Sequence, residues 1–102
     1  MIIHYLPKIA LLQSEIELIK NVINLYLPNA VVTIFGSRVK GTSKRFSDVD
    51  ILIDNQKEIK IDLMNKIKSE ISQNIEYLID ILDITKISDE FKNIILQMGI
   101  KI

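Results

Sequence analysis

The 102-residue chain has no cysteine and no tryptophan, one histidine, two prolines and three glycines. Without cysteine there is neither a disulfide framework nor a thiolate metal site. With His4 as the sole imidazole, a histidine-built zinc centre is excluded, as is a Ser-His-Asp triad around a distant histidine. His4 itself reads as a surface or packing residue. No sign of charge prevails. Thirteen basic residues balance thirteen acidic ones, so no global field draws in nucleic acid or an anionic membrane, and direct nucleic-acid binding is not expected. No apolar run approaches the ~18 residues of a membrane span, and the N-terminus lacks a long apolar stretch with a basic flank. A cytoplasmic protein without membrane contact is the expectation.

What the chain does have is aliphatic residues. Hydrophobic side chains make up 48% of it, largely Ile and Leu. The length suits a single domain over 1–102 with one core. Residues 8–27 carry Ile9, Leu12, Ile16, Ile19 and Ile23 at helical spacing, ended by Pro28 and Asn29. Residues 30–35 form a compact β-branched run, read as a buried strand. Residues 36–47 hold two of the glycines and four cations, a loop with room for one helical turn. Residues 48–54 alternate as a strand, 57–73 return to helical spacing, and 76–84 form a third strand candidate. Ser88 is placed to cap a last helix over 89–98, with Asp89 and Glu90 in its first turn and Gly99 as terminator. Residues 100–102 read as a short edge strand or a frayed end. The order α-β-β-α-β-α predicts an α+β fold, a small mixed sheet of three to four strands with helices packed against it.

The chemistry concentrates between the first two strands. Gly36 permits backbone angles and a close approach that a Cβ would forbid. The Gly36-Ser37 N–H groups and the Ser37 hydroxyl can meet a phosphate. Arg38, Lys40, Lys44 and Arg45 add cations suited to a polyphosphate, Arg38 foremost because it follows the Gly-Ser directly. Ten residues on, Asp48 and Asp50 are two apart on a strand and share a face. Leu52 lies on that face too, which argues against simple solvation. Two adjacent carboxylates repel unless a cation lies between them, and Mg²⁺ accepts a few carboxylates together with water and phosphate. Phosphoryl transfer with two metals wants a third carboxylate. The third strand offers Asp80 and Asp83, whose odd spacing sends them to opposite faces, so only one can join. A P-loop is the rival reading, since Gly36 and Gly41 have its spacing. Thr42 stands where its lysine belongs, however, and Lys44 is two residues out of register.

Phe35-Gly36-Ser37-Arg38, Gly41-Thr42 and Ser47-Asp48-Val49-Asp50-Ile51 together resemble the signature of the DNA polymerase beta-like nucleotidyltransferase superfamily. The fit is best to its minimal nucleotidyltransferase branch, which includes the antitoxins of HEPN/MNT pairs. The resemblance covers most of residues 30–100. It implies the nucleotidyltransferase fold and transfer of a nucleoside monophosphate, AMP from ATP, onto a hydroxyl. It implies Gly36, Ser37 and Arg38 on the nucleotide, Ser37 at the triphosphate. Asp48 and Asp50 are implied as ligands of Mg²⁺, two ions in all. Ile79-Asp80-Ile81-Leu82 matches the strand that carries the third acid, which favours Asp80 over Asp83 as catalytic residue and metal ligand. Larger members append a helical substrate-binding domain, and the length here is expected to leave none. The acceptor is therefore expected on a helical partner, a HEPN-type toxin or an acceptor-binding subunit. Two other expectations stand beside this one: a non-catalytic module that neutralises its partner by stoichiometric contact, and a homodimer suggested by apolar content.

Overall fold

The computed structural model describes residues 9–102; His4 and the start of the first predicted helix lie outside them. Eight elements follow in order: α1 (Gln13–Tyr26), β1 (Val31–Phe35), α2 (Ser37–Lys40), β2 (Val49–Asp54), α3 (Ile61–Ser72), β3 (Ile79–Asp83), α4 (Asp89–Met98) and β4 (Ile100–Lys101), with a 3₁₀ turn at Ile84–Lys86. The sheet has four strands in the order β3-β2-β1-β4. β1 is antiparallel to both β2 and β4, and β2 is parallel to β3. The fold is thus the α+β arrangement with a mixed sheet that the order of elements predicts.

Period-two alternation separates the two faces of the sheet. Val32 and Ile34 of β1, Val49, Ile51 and Ile53 of β2, and Ile79 of β3 turn into one apolar cluster. Ile19 and Ile23 of α1 and Ile67 and Ile71 of α3 close that cluster from the helix side, none more than 1% exposed. Each such side chain contributes roughly 1.5–3 kcal/mol by leaving water. The opposite face bears Thr33, Phe35, Asp50, Leu52 and Asp80 in register. α4 shields part of it, with Ile95 buried and Phe91 packed edge-on to Phe35 at 6.2 Å.

The element ends are set by local hydrogen bonds. α1 begins at Gln13, where Glu15 accepts from the Leu12 N–H at 2.8 Å. α3 begins at Ile61 and not at 57, because the Ile59 N–H donates to the Asp83 carboxylate at 2.8 Å and holds the lead-in extended. The third strand is shorter than its apolar run and occupies only 79–83. Residues 76 and 77 precede it as a bend, although the Leu78 carbonyl still accepts from Val49 at 2.8 Å. Ser88 caps α4 through the Phe91 N–H at 3.1 Å.

Gly99 joins α4 to β4 without an intervening loop. A Cβ there would lie 2.5 Å from Thr33 Cγ2 and 2.7 Å from the Ile95 carbonyl oxygen. Gly99→Ala is therefore expected to destabilise the fold by about 1–3 kcal/mol, read as a lower midpoint in urea with an unchanged slope.

Candidate functional site

The site forms where β1 ends and β2 and β3 begin. β1 stops at Phe35, and Gly36 takes φ +80°, an angle that turns the chain at once into the single-turn helix α2. Val39 and Lys40 both donate to the Gly36 carbonyl, at 3.1 and 3.2 Å. The N–H groups of Ser37 and Arg38 are then the free donors of a helix start. Gly36 lies directly against Asp50. A Cβ at Gly36 would overlap Asp50 Oδ2 and stand 3.2 Å from its Cγ. Only glycine lets the turn and the carboxylate meet.

Strand pairing supplies the second carboxylate. The parallel register of β2 on β3 sets Asp50 opposite Asp80. Asp48, immediately before β2, lies exposed beside them and shares a depression with Asp80. Burial pushes the Asp50 carboxyl up from its ordinary value, and the charges of Asp80 and Asp48 push it further; Lys40 pulls the other way. Among the described residues no three acidic or histidine side chains close into a ready-made metal cage. The donor set still fits a hard divalent cation. These are oxygen ligands crowded on one side, at a cost that a cation removes, and Mg²⁺ takes few protein ligands and completes its shell with water and phosphate.

Asp83 has a different place. It turns to the opposite face of β3, 5% exposed, and accepts from the N–H of Ile59 at 2.8 Å and from the N–H and hydroxyl of Thr85 at 2.9 and 2.8 Å. Burial alone would raise its carboxyl, but those hydrogen bonds and nearby Lys86 outweigh it and hold it below the ordinary carboxylate range. Asp83 ties the lead-in of α3 to β3 and stands away from Asp48, Asp50 and Asp80.

Arg38 departs from the expectation that it reaches a phosphate. Its side chain is only 4% exposed. The guanidinium donates to the carbonyls of Ala10 at 2.6 Å, Ser47 at 2.7 Å and Arg45 at 3.2 Å, and stacks on the Tyr77 ring at 4.0 Å. The planar fork that suits phosphate suits three carbonyls equally well. Arg38 fastens α2 to the residue before Asp48 and so sets the spacing of the turn and the carboxylate. The cation that does face Asp50 is Lys40, exposed on α2. Tyr77 had no sequence signal, because an aromatic before a strand says nothing of the arginine it will meet.

A model of the polymerase beta nucleotidyltransferase family matches residues 13–102. The chain belongs to that family and is a nucleotidyltransferase, as the Gly-Ser and Asp-x-Asp spacing led us to expect. It is similar to a probable protein adenylyltransferase, MntA, of Haemophilus influenzae, with 29% identity over 90 residues, 87% of this chain and 79% of the relative. In fold it resembles a toxin–antitoxin solved with AMP-PNP, at TM-score 0.76 and 18% identity, covering 89% of this chain and 72% of that one. A mutant of the MntA–HpeT toxin–antitoxin gives a TM-score of 0.73 at 18% identity, covering 85% and 70%. No helix among the described residues is long and apolar enough to cross a membrane.

Two measurements test these electrostatics. The folded state holds the Asp50 proton more tightly than the unfolded chain does, so ionising Asp50 lowers stability as pH rises. In metal-free buffer Asp50→Asn should raise Tm by a few degrees at neutral pH, and the gain should vanish below the ordinary carboxylate range. Asp83 has the opposite sign. Its contribution is present above the unfolded pKa and lost as pH falls through the depressed folded value. Asp83→Ala should cost about 1–3 kcal/mol at neutral pH, since it leaves the buried Ile59 N–H unpaired, and less in acid.

Proposed function

We propose that the chain is an Mg²⁺-dependent adenylyltransferase that moves AMP from ATP onto a hydroxyl of a partner protein, as the antitoxin of a toxin–antitoxin pair. The observation that carries this reading is the register of Asp50 on Asp80 with Gly36 packed against Asp50. It brings a phosphate-sized turn and a carboxylate pair to one point. The names of the similar proteins support the donor and the setting: an adenylyltransferase, and toxin–antitoxins of the same fold, one of them with AMP-PNP.

Asp48, Asp50 and Asp80 are the residues that would hold Mg²⁺, which when bound supplies positive charge against the triphosphate oxygens and the reacting phosphorus. The Ser37 hydroxyl and the N–H groups at the start of α2 seat the triphosphate, and Lys40 adds a cation beside them. Arg38 keeps that seat at a fixed distance from Asp48. The acceptor oxygen bonds to the α-phosphorus while the bond to the bridging oxygen breaks, and the electron pair leaves with pyrophosphate. The hydroxyl proton passes to Asp80 and on to solvent, as general-base catalysis requires. A HEPN-type helical toxin is the acceptor that fits the antitoxin setting, an acceptor-binding subunit its variant.

Incubation with α-³²P-ATP, Mg²⁺ and the partner should label the partner, and EDTA should abolish labelling. Asp48→Asn should cut the rate roughly 10²–10³-fold, the loss typical of removing one electrostatic stabiliser of a transferring group. Undiminished transfer would refute the mechanism.

A second reading is neutralisation by contact alone. Phe91, Ile94, Leu96 and Met98 of α4, each 40–50% exposed, favour it. If the Asp48→Asn, Asp50→Asn double variant still neutralises the partner fully, contact suffices; if the complex forms without neutralisation, catalysis is required.

A further inference from the structure

Two depressions flank the carboxylates. One, of about 170 Å³, lies on the Gly36 and Lys40 side under Phe91 and Met98 of α4. The other, of about 440 Å³, runs from Asp48 and Asp80 across the start of β3 to Lys68 on α3. A still larger hollow, about 530 Å³, sits at the opposite end of the sheet beside Pro28 and Gln56 and holds no carboxylate. The phosphate turn belongs to the small depression alone. The groove past Asp80 has no such turn, yet Asp48 and Asp80 line it directly.

We propose that this groove receives the acceptor as an extended polypeptide segment, with its hydroxyl residue at Asp80 and an apolar neighbour on Leu78. The inference rests on the transferase reading above and adds where the acceptor enters and what recognises it.

Three observations select a polypeptide. Beyond the carboxylates of the site the wall offers one cation, Lys68, one anion, Glu76, and, with Ile75 and Ile79 buried, one exposed large aliphatic side chain, Leu78. That mixture suits a peptide; a nucleic acid would call for a row of cations. Leu78 is 74% exposed, the most exposed of the large apolar side chains among the described residues, and stands two positions from Asp80. β3 is the terminal strand of the sheet, so among the described residues its outer edge has no partner strand. Such an edge offers main-chain donors and acceptors to an extended peptide. The bend beneath it is fixed, because Tyr77 is held face-on by Arg38, which is itself tied to three carbonyls. A groove of set width favours a chain in one conformation.

The test uses the full chain with Mg²⁺, α-³²P-ATP and short synthetic peptides bearing one central tyrosine, serine or threonine. The neighbours of that residue are either leucine or glycine. A single-stranded oligonucleotide with a free 3′-hydroxyl is the competing acceptor. Label should enter peptide in preference to oligonucleotide, and leucine-flanked peptide in preference to glycine-flanked. Leu78→Glu should lower kcat/KM for the leucine-flanked peptide by about tenfold, the scale of one well-placed apolar contact, and erase its advantage over the glycine-flanked one. Lys68→Trp, which fills the groove from the α3 wall, should lower transfer to both peptides. Binding of MANT-ATP should be the same in both variants as in the parent, which also shows that they fold. Preferential labelling of the oligonucleotide overturns the proposal, as does a peptide preference that survives Leu78→Glu. Absence of peptide labelling with MANT-ATP still bound also overturns it and leaves the donor site standing. Failure of the parent to bind MANT-ATP overturns the transferase reading itself.

Discussion

Parallel pairing of β2 on β3 places two carboxylates side by side at the rim of the sheet, and much of the molecule can be understood as accommodating that placement. Like charges at neighbouring register positions destabilise a sheet. Here the strain is confined to one end of β2 and β3, while the same strands send Val49, Ile51, Ile53 and Ile79 into the apolar cluster beneath. Aliphatic burial on one face therefore offsets charge crowding on the other. The folded chain holds a high local concentration of negative charge on a sheet, which a protein selected only for stability would discard.

Two further residues make that end of the sheet specific. Gly36 brings the turn after β1 against Asp50, and Arg38 locks the loop that returns to Asp48. The loop between α2 and β2 has little regular structure, so its path depends on side-chain hydrogen bonds. A buried guanidinium with three carbonyl partners is well suited to this, since it satisfies groups that would otherwise be stranded. The arrangement explains why the arginine after Gly36-Ser37 is occupied with the chain's own backbone and leaves Lys40 to face Asp50.

Much of the fold was legible because its elements differ in period. The Ile19–Ile23 and Ile67–Ile71 repeats are helical, and the 48–54 alternation is that of a strand with one apolar face. The parity of Asp48 and Asp50, and the disparity of Asp80 and Asp83, followed from the strand repeat alone. The shortfalls have physical causes. Residues 76–78 look like strand by composition, but the run is cut short by a bend whose tyrosine packs on Arg38. The start of α3 moved from 57 to 61 because a long-range hydrogen bond to Asp83 captured its lead-in. The direction of Arg38 depended on carbonyls as far away as Ala10, which no local pattern announces. The parallel register of Asp50 on Asp80 was equally invisible, since pairing offset is a tertiary choice.

The absence of a loop between α4 and β4 has a mechanical consequence. α4 is capped by Ser88 at one end and continues through Gly99 directly into a strand bonded to β1 at the other. A helix joined this tightly to a paired strand has no slack at its C-terminal end, so the wall it forms beside Gly36 is tethered to β1 through β4. Displacing α4 would pull β4 away from β1, so any movement of that wall is coupled to the integrity of the sheet edge.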